Sequence, residues 1–231
     1  DLGLRDSVLK GVEDAGFVHP THIQETLIPA VLAGRDVLGQ AKTGTGKTAA
    51  FGLPILDQAD KDTPMQALIL TPTRELAAQV ATELSELGRF TSIRTACIIG
   101  GESMRQQVEA VKSGAHLLVG TPGRVMDMHG RKQIHFHNIR FAVLDEVDRM
   151  LDIGFRDDIR KILGSVPAKR QTIFVSATIS GEIDKLGRQF MKKDAQRIDS
   201  VSSSLTVSLV KQCYLPVEPW DKDKLLLCLL R

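Results

Sequence analysis

The chain has 231 residues, of which 42% are hydrophobic, 25% are charged and only 4% are aromatic. This size and composition are typical of a globular protein of one large or two small domains that needs neither disulfides nor a metal for stability. The net charge of +2 does not indicate a strongly basic nucleic-acid binder, and the few aromatic residues argue against a platform that stacks bases. Any contact with nucleic acid is therefore expected at its backbone.

Cysteine usage and hydropathy predict a cytoplasmic protein. Cys97, Cys213 and Cys228 are far apart and form no CxxC pair, which favours a reducing compartment and argues against a structural zinc site. No apolar run approaches the ~20 residues that span a bilayer. The first five residues lack the basic start and the apolar stretch of a signal peptide. We therefore expect no contact with a membrane.

Short apolar runs alternate with longer helical patterns along the chain. The predicted strands are Asp36–Gln40, Gln66–Thr71, Ile93–Ile99, His116–Gly120, Phe141–Leu144 and Thr172–Val175. The predicted helices are Lys47–Gln58, Arg74–Arg89, Ser103–Ser113, Pro122–His129, Phe155–Ser165 and Glu182–Met191. Continuous apolar strands that alternate with helices predict an α/β fold, a mainly parallel sheet with helices on both faces. Ligands of such sheets bind at the carboxyl ends of the strands.

The composition changes at the serine-rich run Ser200–Ser204, which predicts a linker. A further strand, Ser208–Leu215, and a helix, Lys222–Leu230, are predicted beyond it. The run Leu225–Leu230 is apolar on all sides of that helix and therefore predicts burial, but the sequence offers no later partner for it. We interpret residues 1–206 as one domain and residues 207–231 as a linker and the start of a second domain.

A phosphate-binding loop is predicted where the first strand meets the first helix. Small residues there would let backbone N–H groups approach phosphate oxygens, and the helix N-terminus adds partial positive charge. The pattern predicts that Lys47 reaches the β- and γ-phosphates of a nucleotide and that Thr48 ligates Mg²⁺. Ala41 stands where the pattern has glycine, and the alternative is a glycine-rich turn without a ligand. The loop consists of Ala41, Lys42, Thr43, Gly44, Thr45, Gly46, Lys47 and Thr48.

The apolar strand Phe141–Leu144 leads directly into Asp145 and Glu146. A buried strand that ends in two carboxylates indicates a cation nearby, which in a P-loop enzyme is Mg²⁺. Asp145 would hold the metal, and Glu146 would orient or activate the attacking water. The alternative is that the acidic residue caps a helix. With Lys47, the pair predicts the catalytic residues of a nucleoside triphosphatase.

Seven segments, in order, resemble the motifs of the first RecA-like domain of DEAD-box RNA helicases. They are Gly16-Phe17 with Pro20–Gln24 (the Q motif, within residues 1–24), Ala41–Thr48 (motif I), Pro72–Ala77 (Ia), Gly100-Gly101 (GG), Thr121–Arg124 (Ib), Asp145–Asp148 (II) and Ser176–Thr178 (III). The resemblance implies a RecA-like P-loop NTPase domain that binds ATP and Mg²⁺ and belongs to an ATP-dependent RNA helicase.

The resemblance also implies that Phe17 and Gln24 recognise adenine. The amide of Gln24 carries an acceptor and two donors and so could pair with N6 and N7 of the base, while Phe17 could stack on its ring. The alternative is that Phe17 belongs to the core and Gln24 caps a helix. The aromatic residue that the family places upstream of the Q motif would fall before Asp1, so we expect a weakened affinity for adenine.

A path for the backbone of single-stranded or duplex RNA is implied by motifs Ia, GG and Ib. Hydroxyl and guanidinium groups, glycines that permit close approach, and two predicted helix N-termini suit phosphate contacts. Backbone contacts carry no base identity, so binding should not depend on RNA sequence. Taken singly, motifs Ia and Ib are also ordinary helix starts. The residues are Pro72, Thr73, Arg74, Glu75, Gly100, Gly101, Thr121, Pro122, Gly123 and Arg124.

Motif III is implied to couple the two ligands, with the hydroxyls of Ser176 and Thr178 bonding Asp148. The alternative is that these hydroxyls cap the helix that begins near Glu182. Val147 stands where the family has alanine, so packing at motif II is in question although its acidic residues are retained.

The resemblance implies that a second RecA-like domain supplies an arginine finger and further RNA contacts. An arginine finger is worth roughly 10³–10⁵ in rate in related NTPases, so we expect the chain alone to be nearly inactive. Two other functions stay open at this point. One is an RNA clamp that uses ATP only to change conformation, and the other is a DNA-dependent translocase.

Overall fold

The computed structural model describes residues 2–199 and 213–229. The chain divides into two units, Asp1–Ser200 and Val201–Arg231. The serine-rich run lies outside the described residues, as do the first five residues of the predicted strand Ser208–Leu215. Its last three residues, 213–215, are described and are not part of a strand.

Seven strands of the first unit form one sheet in which every pair is parallel. The sheet order is β3-β4-β2-β5-β6-β1-β7. The six predicted strands are confirmed to within a few residues, and β5 extends to include Asp145. The strands are β1 (Val37–Gln40), β2 (Ala67–Leu70), β3 (Thr95–Ile98), β4 (Leu117–Gly120), β5 (Phe141–Asp145), β6 (Gln171–Ser176) and β7 (Gln196–Asp199).

Helices cover both faces of this sheet, which confirms the predicted fold class. Val143 of β5 belongs to one core cluster and the next residue, Leu144, to the other, because successive side chains of a strand point to opposite faces. One face carries α1 (Asp6–Asp14), α2 (His22–Leu32), α3 (Lys47–Gln58) and α4 (Arg74–Leu87). The other carries α5 (Met104–Lys112), α6 (Pro122–Gly130), α7 (Val147–Ile153), α8 (Arg156–Ser165) and α9 (Gly181–Phe190).

Four elements of this unit are not predicted from the sequence: α1, α2, α7 and β7. Helix α2 contains Pro29, and proline is usually a sign that a helix is interrupted. Helix α7 has only seven residues, which is too short for a clear helical pattern. Strand β7 buries only Ile198, because it is the edge strand of the sheet. An edge strand with one buried side chain has too little apolar pattern to be recognised.

A buried polar cluster joins three elements near the amino ends of β1 and β6. Oδ1 of Asp36 accepts a hydrogen bond from the backbone N–H of Thr172 at 2.9 Å, and Oδ2 accepts one from that of Lys192 at 2.8 Å. The buried Arg170 donates to the carbonyl oxygens of Val166 and Phe190 at 3.2 and 3.3 Å. Burial lowers the pKa of Arg170, and Asp36 opposes that shift. The cluster ties β1, β6 and the segment after α9 together.

In the second unit, the described residues form a short 3₁₀ helix, Pro219–Asp221, and the helix α10, Lys222–Leu229. Leu226, Leu227 and Leu229 of α10 are more than half exposed. Neither unit, within residues 2–199 and 213–229, contains a helix with the length and apolar character that crossing a bilayer requires.

Candidate functional site

The sheet order brings the sequence motifs together at one edge, in two groups. Motifs I, II and III follow β1, β5 and β6, which are close neighbours in the sheet. Motifs Ia, GG and Ib follow β2, β3 and β4, which form the adjoining half. All strands are parallel, so all six segments lie at the carboxyl edge, where α/β sheets bind ligands.

The loop between β1 and α3 has the backbone shape of a phosphate cradle. Gly44 and Gly46 have φ angles of 81° and 80°, in the left-handed region that favours glycine. A Cβ on Gly46 would also collide with Nε2 of Gln24. Ala41 is fully buried, has no positive φ, and donates its N–H to the carbonyl of Ser176 at 2.9 Å. An alanine therefore fits at this position, where the motif has glycine.

Lys47 and Asp145 form a buried ion pair whose facing atoms are too far apart for a hydrogen bond. Nζ of Lys47 lies 3.8 Å from Oδ1 of Asp145, and the side chains are only 7% and 3% exposed. Neither atom has a hydrogen-bond partner among the described residues. Burial raises the pKa of Asp145 to about 6; Lys47 opposes this shift and Glu146 adds to it. Buried charged atoms without partners are costly, so this arrangement fits a ligand that carries both charges, such as a metal-bound phosphate group.

Glu146 contacts the phosphate loop and has an unusual backbone conformation. Its φ of 54° is uncommon for a residue with a side chain and often marks a functional site. Thr43 Oγ1 donates to Oε1 at 3.4 Å, and Nη1 of Arg149 lies 3.6 Å from Oε2. The capping alternative is not observed, because Asp145 is the last residue of β5 and Glu146 makes no side-chain cap bond to α7.

A third carboxylate, Glu83 of α4, was not predicted. Thr48 lies close enough to lower the pKa of Glu83, and the charge of Glu83 contributes to the raised pKa of Asp145. Burial raises the pKa of Glu83, and Thr48 opposes that shift. No sequence signal could identify Glu83, because it occupies an ordinary polar position of an amphipathic helix.

Motifs II and III are joined by three hydrogen bonds. Oδ2 of Asp148 accepts from the N–H and the hydroxyl of Thr178 at 3.0 and 2.9 Å, and the Asp148 N–H donates to Oγ of Ser176 at 3.1 Å. Burial would raise the pKa of Asp148, but these hydrogen bonds outweigh it and lower the pKa. Helix α9 is capped by Ser180, so Ser176 and Thr178 do not cap it. Val147 is fully buried in a core cluster, so its extra methyl groups pack among apolar side chains.

Gln24 caps a helix, as one alternative proposed, and it also contacts the phosphate loop. Its Oε1 accepts from the N–H of Thr21 at 2.9 Å, and its Nε2 donates to the carbonyl of Gly46 at 3.1 Å. The amide oxygen of Gln24 can accept one more hydrogen bond, and its amide nitrogen can donate one more. Phe17 packs partly against the core, and with Gln24 it lines a cavity of about 340 Å³. Gln24 thus lies next to the phosphate loop, and Phe17 shares a cavity with it.

In the second group, motif Ia lies against the glycine doublet. The guanidinium of Arg74 lies so close to Gly101 that a Cβ there would collide with it, and Gly101 has a φ of 77°. Arg74, Glu75, Gly101 and Gly123 are exposed, and Thr73, Gly100 and Arg124 are partly exposed. Thr73 caps α4 through a bond from the Leu76 N–H at 3.2 Å, and Pro122 begins α6. Pro72, Thr121 and Pro122 are buried.

Gln107 of α5 is a second residue that was not predicted. It is only 5% exposed, and its amide bonds both backbone groups of Ile99, immediately before the glycine doublet. Its Oε1 also accepts a hydrogen bond from Arg124 of motif Ib at 3.2 Å. A glutamine on a surface helix carries no local signal for such contacts, which depend on the packing of α5 beside β3.

Residues 21–186 match the family model described as DEAD/DEAH box helicase. The chain belongs to the DEAD/DEAH box helicase family. It is 45% identical over 223 residues to the DEAD-box ATP-dependent RNA helicase CshA of Streptococcus pneumoniae, which covers 96% of this chain and 42% of the relative. It is 43% identical over 231 residues to CshA of Bacillus cereus, covering 100% and 44%. This DEAD/DEAH box chain thus spans less than half the length of these curated relatives.

Solved structures agree with this assignment. The crystal structure of a DEAD box protein from the hyperthermophile Methanococcus jannaschii matches with a TM-score of 0.84 at 35% identity, over 100% of this chain and 62% of that one. Saccharomyces cerevisiae Dbp5, solved bound to Gle1 and IP6, matches with a TM-score of 0.76 at 33% identity, over 86% and 51%. The predicted RecA-like family resemblance is confirmed.

Proposed function

We propose that this chain is the first RecA-like domain of an ATP-dependent RNA helicase and that it binds Mg-ATP and the backbone of RNA. The observation that carries the proposal is the pair of buried atoms without partners among the described residues, Nζ of Lys47 and Oδ1 of Asp145. A buried ammonium beside a buried carboxylate matches the charges of a triphosphate and its metal. The names of the CshA relatives support the same activity.

Each residue of the first group then has a defined role. Backbone N–H groups of the phosphate loop and Lys47 bind the phosphates, and Thr48 and Asp145 would hold Mg²⁺. Glu83, which lies near Thr48, would accept the Thr48 hydroxyl hydrogen and so leave an oxygen lone pair for the metal. Mg²⁺ would neutralise charge on the β- and γ-phosphate oxygens. Phe17 and Gln24 bind adenine.

Glu146 orients the attacking water and takes its proton as the water adds to the γ-phosphorus. The bond from that phosphorus to the β-γ bridging oxygen breaks, and ADP leaves. Asp148, Ser176 and Thr178 are assigned the coupling role, because their hydrogen bonds tie α7 of motif II to the segment after β6, and the resemblance implies that this segment links the nucleotide site to RNA. A shift at the acidic segment therefore moves the loop beyond motif III.

Motifs Ia, GG and Ib bind phosphates of single-stranded or duplex RNA without reading its sequence. Arg74 and Arg124 supply the charge, and the exposed glycines allow the RNA backbone to approach closely. A second RecA-like domain closes over both ligands, adds an arginine finger, and strains the duplex, which is an induced-fit gate. The chain alone then binds nucleotide weakly and hydrolyses it very slowly. A cytoplasmic location stays a prediction.

Nucleotide binding tests this proposal directly. Lys47→Ala is expected to weaken the binding of a fluorescent ATP analogue with Mg²⁺ to this chain by at least about 30-fold, because a buried charge pair with phosphate is lost. Lys161→Ala is the matched control, since Lys161 is exposed on α8. Equal affinity of all three proteins would contradict the assignment of the phosphate site.

RNA-stimulated ATP turnover by the intact protein separates the remaining functions. Turnover stimulated by single-stranded RNA, and much less by DNA of the same sequence, is expected for the helicase, because RNA's 2′-hydroxyls distinguish the two. Nucleotide-dependent RNA binding without turnover would favour the RNA clamp. Equal stimulation by DNA would favour the translocase.

The raised pKa of Asp145 predicts a pH dependence. Its carboxyl ¹³C resonance in the free chain is expected to titrate near pH 6, so Mg²⁺ binding weakens as pH falls below about 6. In the unfolded chain an aspartate has its ordinary pKa of about 3.9, so the folded form binds this proton more tightly. This group therefore makes the free energy of unfolding fall as pH rises from about 4 to 6.

Two variants test whether neighbouring carboxylates raise the pKa of Asp145. Both Glu146→Gln and Glu83→Gln remove a negative charge that raises the pKa of Asp145, so both should move its titration to lower pH. The shift should be larger for Glu146→Gln, because Glu146 contributes more to the raised pKa. A titration midpoint near 4 in the unsubstituted chain would disprove the prediction.

A further inference from the structure

Gln107 holds the segment that leads into the glycine doublet by two backbone hydrogen bonds. Its Nε2 donates to the carbonyl of Ile99 at 2.8 Å, and its Oε1 accepts from the N–H of Ile99 at 3.2 Å. Ile99 follows the last residue of β3. The side-chain amide of Gln107 bonds both the N–H and the carbonyl of Ile99, as the backbone of a neighbouring strand would. The position of Gly100 therefore depends on a side chain of α5.

The same amide positions Arg124. Nη1 of Arg124 donates to Oε1 of Gln107 at 3.2 Å, and Nη1 and Nη2 both reach the carbonyl of Glu102 at 3.4 and 3.3 Å. Gln107 thus holds the loop where it begins, and Arg124 holds it just after the doublet. The guanidinium of Arg74 lies against Gly101, so both arginines lie close to the loop that contains the doublet.

The network orients Arg124 without neutralising it. The oxygens that accept from this guanidinium belong to an amide and a backbone carbonyl, which are neutral, and among the described residues no carboxylate lies within ion-pair distance. A glutamate at position 107 would accept the same hydrogen bond from Arg124, but it would compensate the charge and could not donate to the carbonyl of Ile99. A neutral acceptor is the chemistry required if Arg124 must keep its full charge for an anionic partner.

We propose that Gln107 is a positioning residue that holds Gly100, Gly101 and Arg124 as one rigid phosphate-binding element and leaves the charge of Arg124 available to an RNA phosphate. The proposal rests on the RNA-binding function proposed above. It predicts that the neutrality of Gln107, and not only its packing, supports RNA binding.

The test compares Gln107→Glu with Gln106→Glu in the intact protein. Both substitutions add one negative charge to α5, but Gln106 is exposed and contacts neither Ile99 nor Arg124 in the described structure. Binding of a fluorescent single-stranded RNA would be measured by anisotropy across a salt series, with a non-hydrolysable ATP analogue and Mg²⁺ present. The affinity for a fluorescent ATP analogue and the thermal midpoint would be measured in parallel.

Gln107→Glu is expected to weaken RNA binding about tenfold at low salt and to reduce the slope of log affinity against log salt by about 0.7, the value for one lost phosphate contact with a single strand. Nucleotide affinity should be unchanged. Gln106→Glu should keep the original slope. In an Arg124→Ala background, Gln107→Glu should cause a smaller further loss than in the unsubstituted protein, because the two changes share the contact with Arg124 and only the bond to Ile99 is left to be lost.

The outcomes are distinguishable. An unchanged slope for Gln107→Glu, in a protein that otherwise binds RNA normally, would overturn the role of Gln107 alone. Equal losses of RNA and nucleotide affinity with a lower thermal midpoint would show a merely structural role and would also overturn it. An unsubstituted protein that binds the ATP analogue but not RNA would overturn both this proposal and the proposed RNA-binding function.

Discussion

Glu146→Gln is expected to lower RNA-stimulated ATP turnover by the intact protein by roughly 10²–10⁴-fold, the range for loss of a general base. The amide keeps the size of the carboxylate but cannot accept the proton of the attacking water. Steady-state phosphate release measures the effect. Mg-ATP affinity should change by less than about fivefold, since the glutamine oxygen can still accept from Thr43 and the substitution removes only the ion pair with the largely exposed Arg149.

Two comparisons make this result specific. Glu86→Gln, on the exposed side of α4, should leave turnover unchanged. Asp145→Asn should reduce both turnover and Mg-ATP affinity, because Asp145 is assigned to the metal and Glu146 to the water. Turnover that survives Glu146→Gln would mean that another group activates the water, and turnover and affinity that fall together would indicate a binding role for Glu146.

Asp36→Ala is expected to lower the free energy of unfolding by about 3–5 kcal/mol, the range for breaking a buried charged cluster. The substitution leaves the N–H groups of Thr172 and Lys192 without their acceptor and leaves the buried Arg170 without a nearby negative charge. Urea denaturation of the chain, followed by circular dichroism, measures the change.

Asp199→Ala provides the control, because Asp199 is an exposed residue of the edge strand β7, and its loss should change stability by no more than about 0.5 kcal/mol. The loss of stability for Asp36→Asn should lie between those for Asp36→Ala and Asp199→Ala, since asparagine keeps one acceptor oxygen. A loss below about 1 kcal/mol for Asp36→Ala would show that water or a rearranged backbone replaces the carboxylate.

Local chemistry explains why much of the candidate site is predictable. The phosphate loop depends on a short contiguous run in which Gly44 and Gly46 supply conformations that other residues disfavour, and the helix that it opens, Lys47–Gln58, agrees with its predicted bounds. Asp145 and Glu146 stand out because two acids directly follow an apolar strand. Such signals need no knowledge of distant residues.

The contacts of Gln24, Glu83 and Gln107 could not be predicted in the same way. Each side chain lies on a helix and reaches a partner that is remote in sequence: Gly46 for Gln24, Thr48 for Glu83, and Ile99 and Arg124 for Gln107. A polar residue on an amphipathic helix shows the same pattern whether it faces solvent or a neighbouring loop. Only the packing of the helix against the sheet decides between these environments.

The sequence by itself determined the family, the alternation of strands and helices, and the two segments that predict a triphosphate site, because each depends on residues close together in the chain. The tertiary structure alone decided that motifs I, II and III share one half of the carboxyl edge and motifs Ia, GG and Ib the other. Strand order results from long-range packing of the apolar faces, and no local pattern encodes which strands become neighbours. The same packing left Lys47 and Asp145 buried side by side, with no hydrogen-bond partner for either charged atom among the described residues.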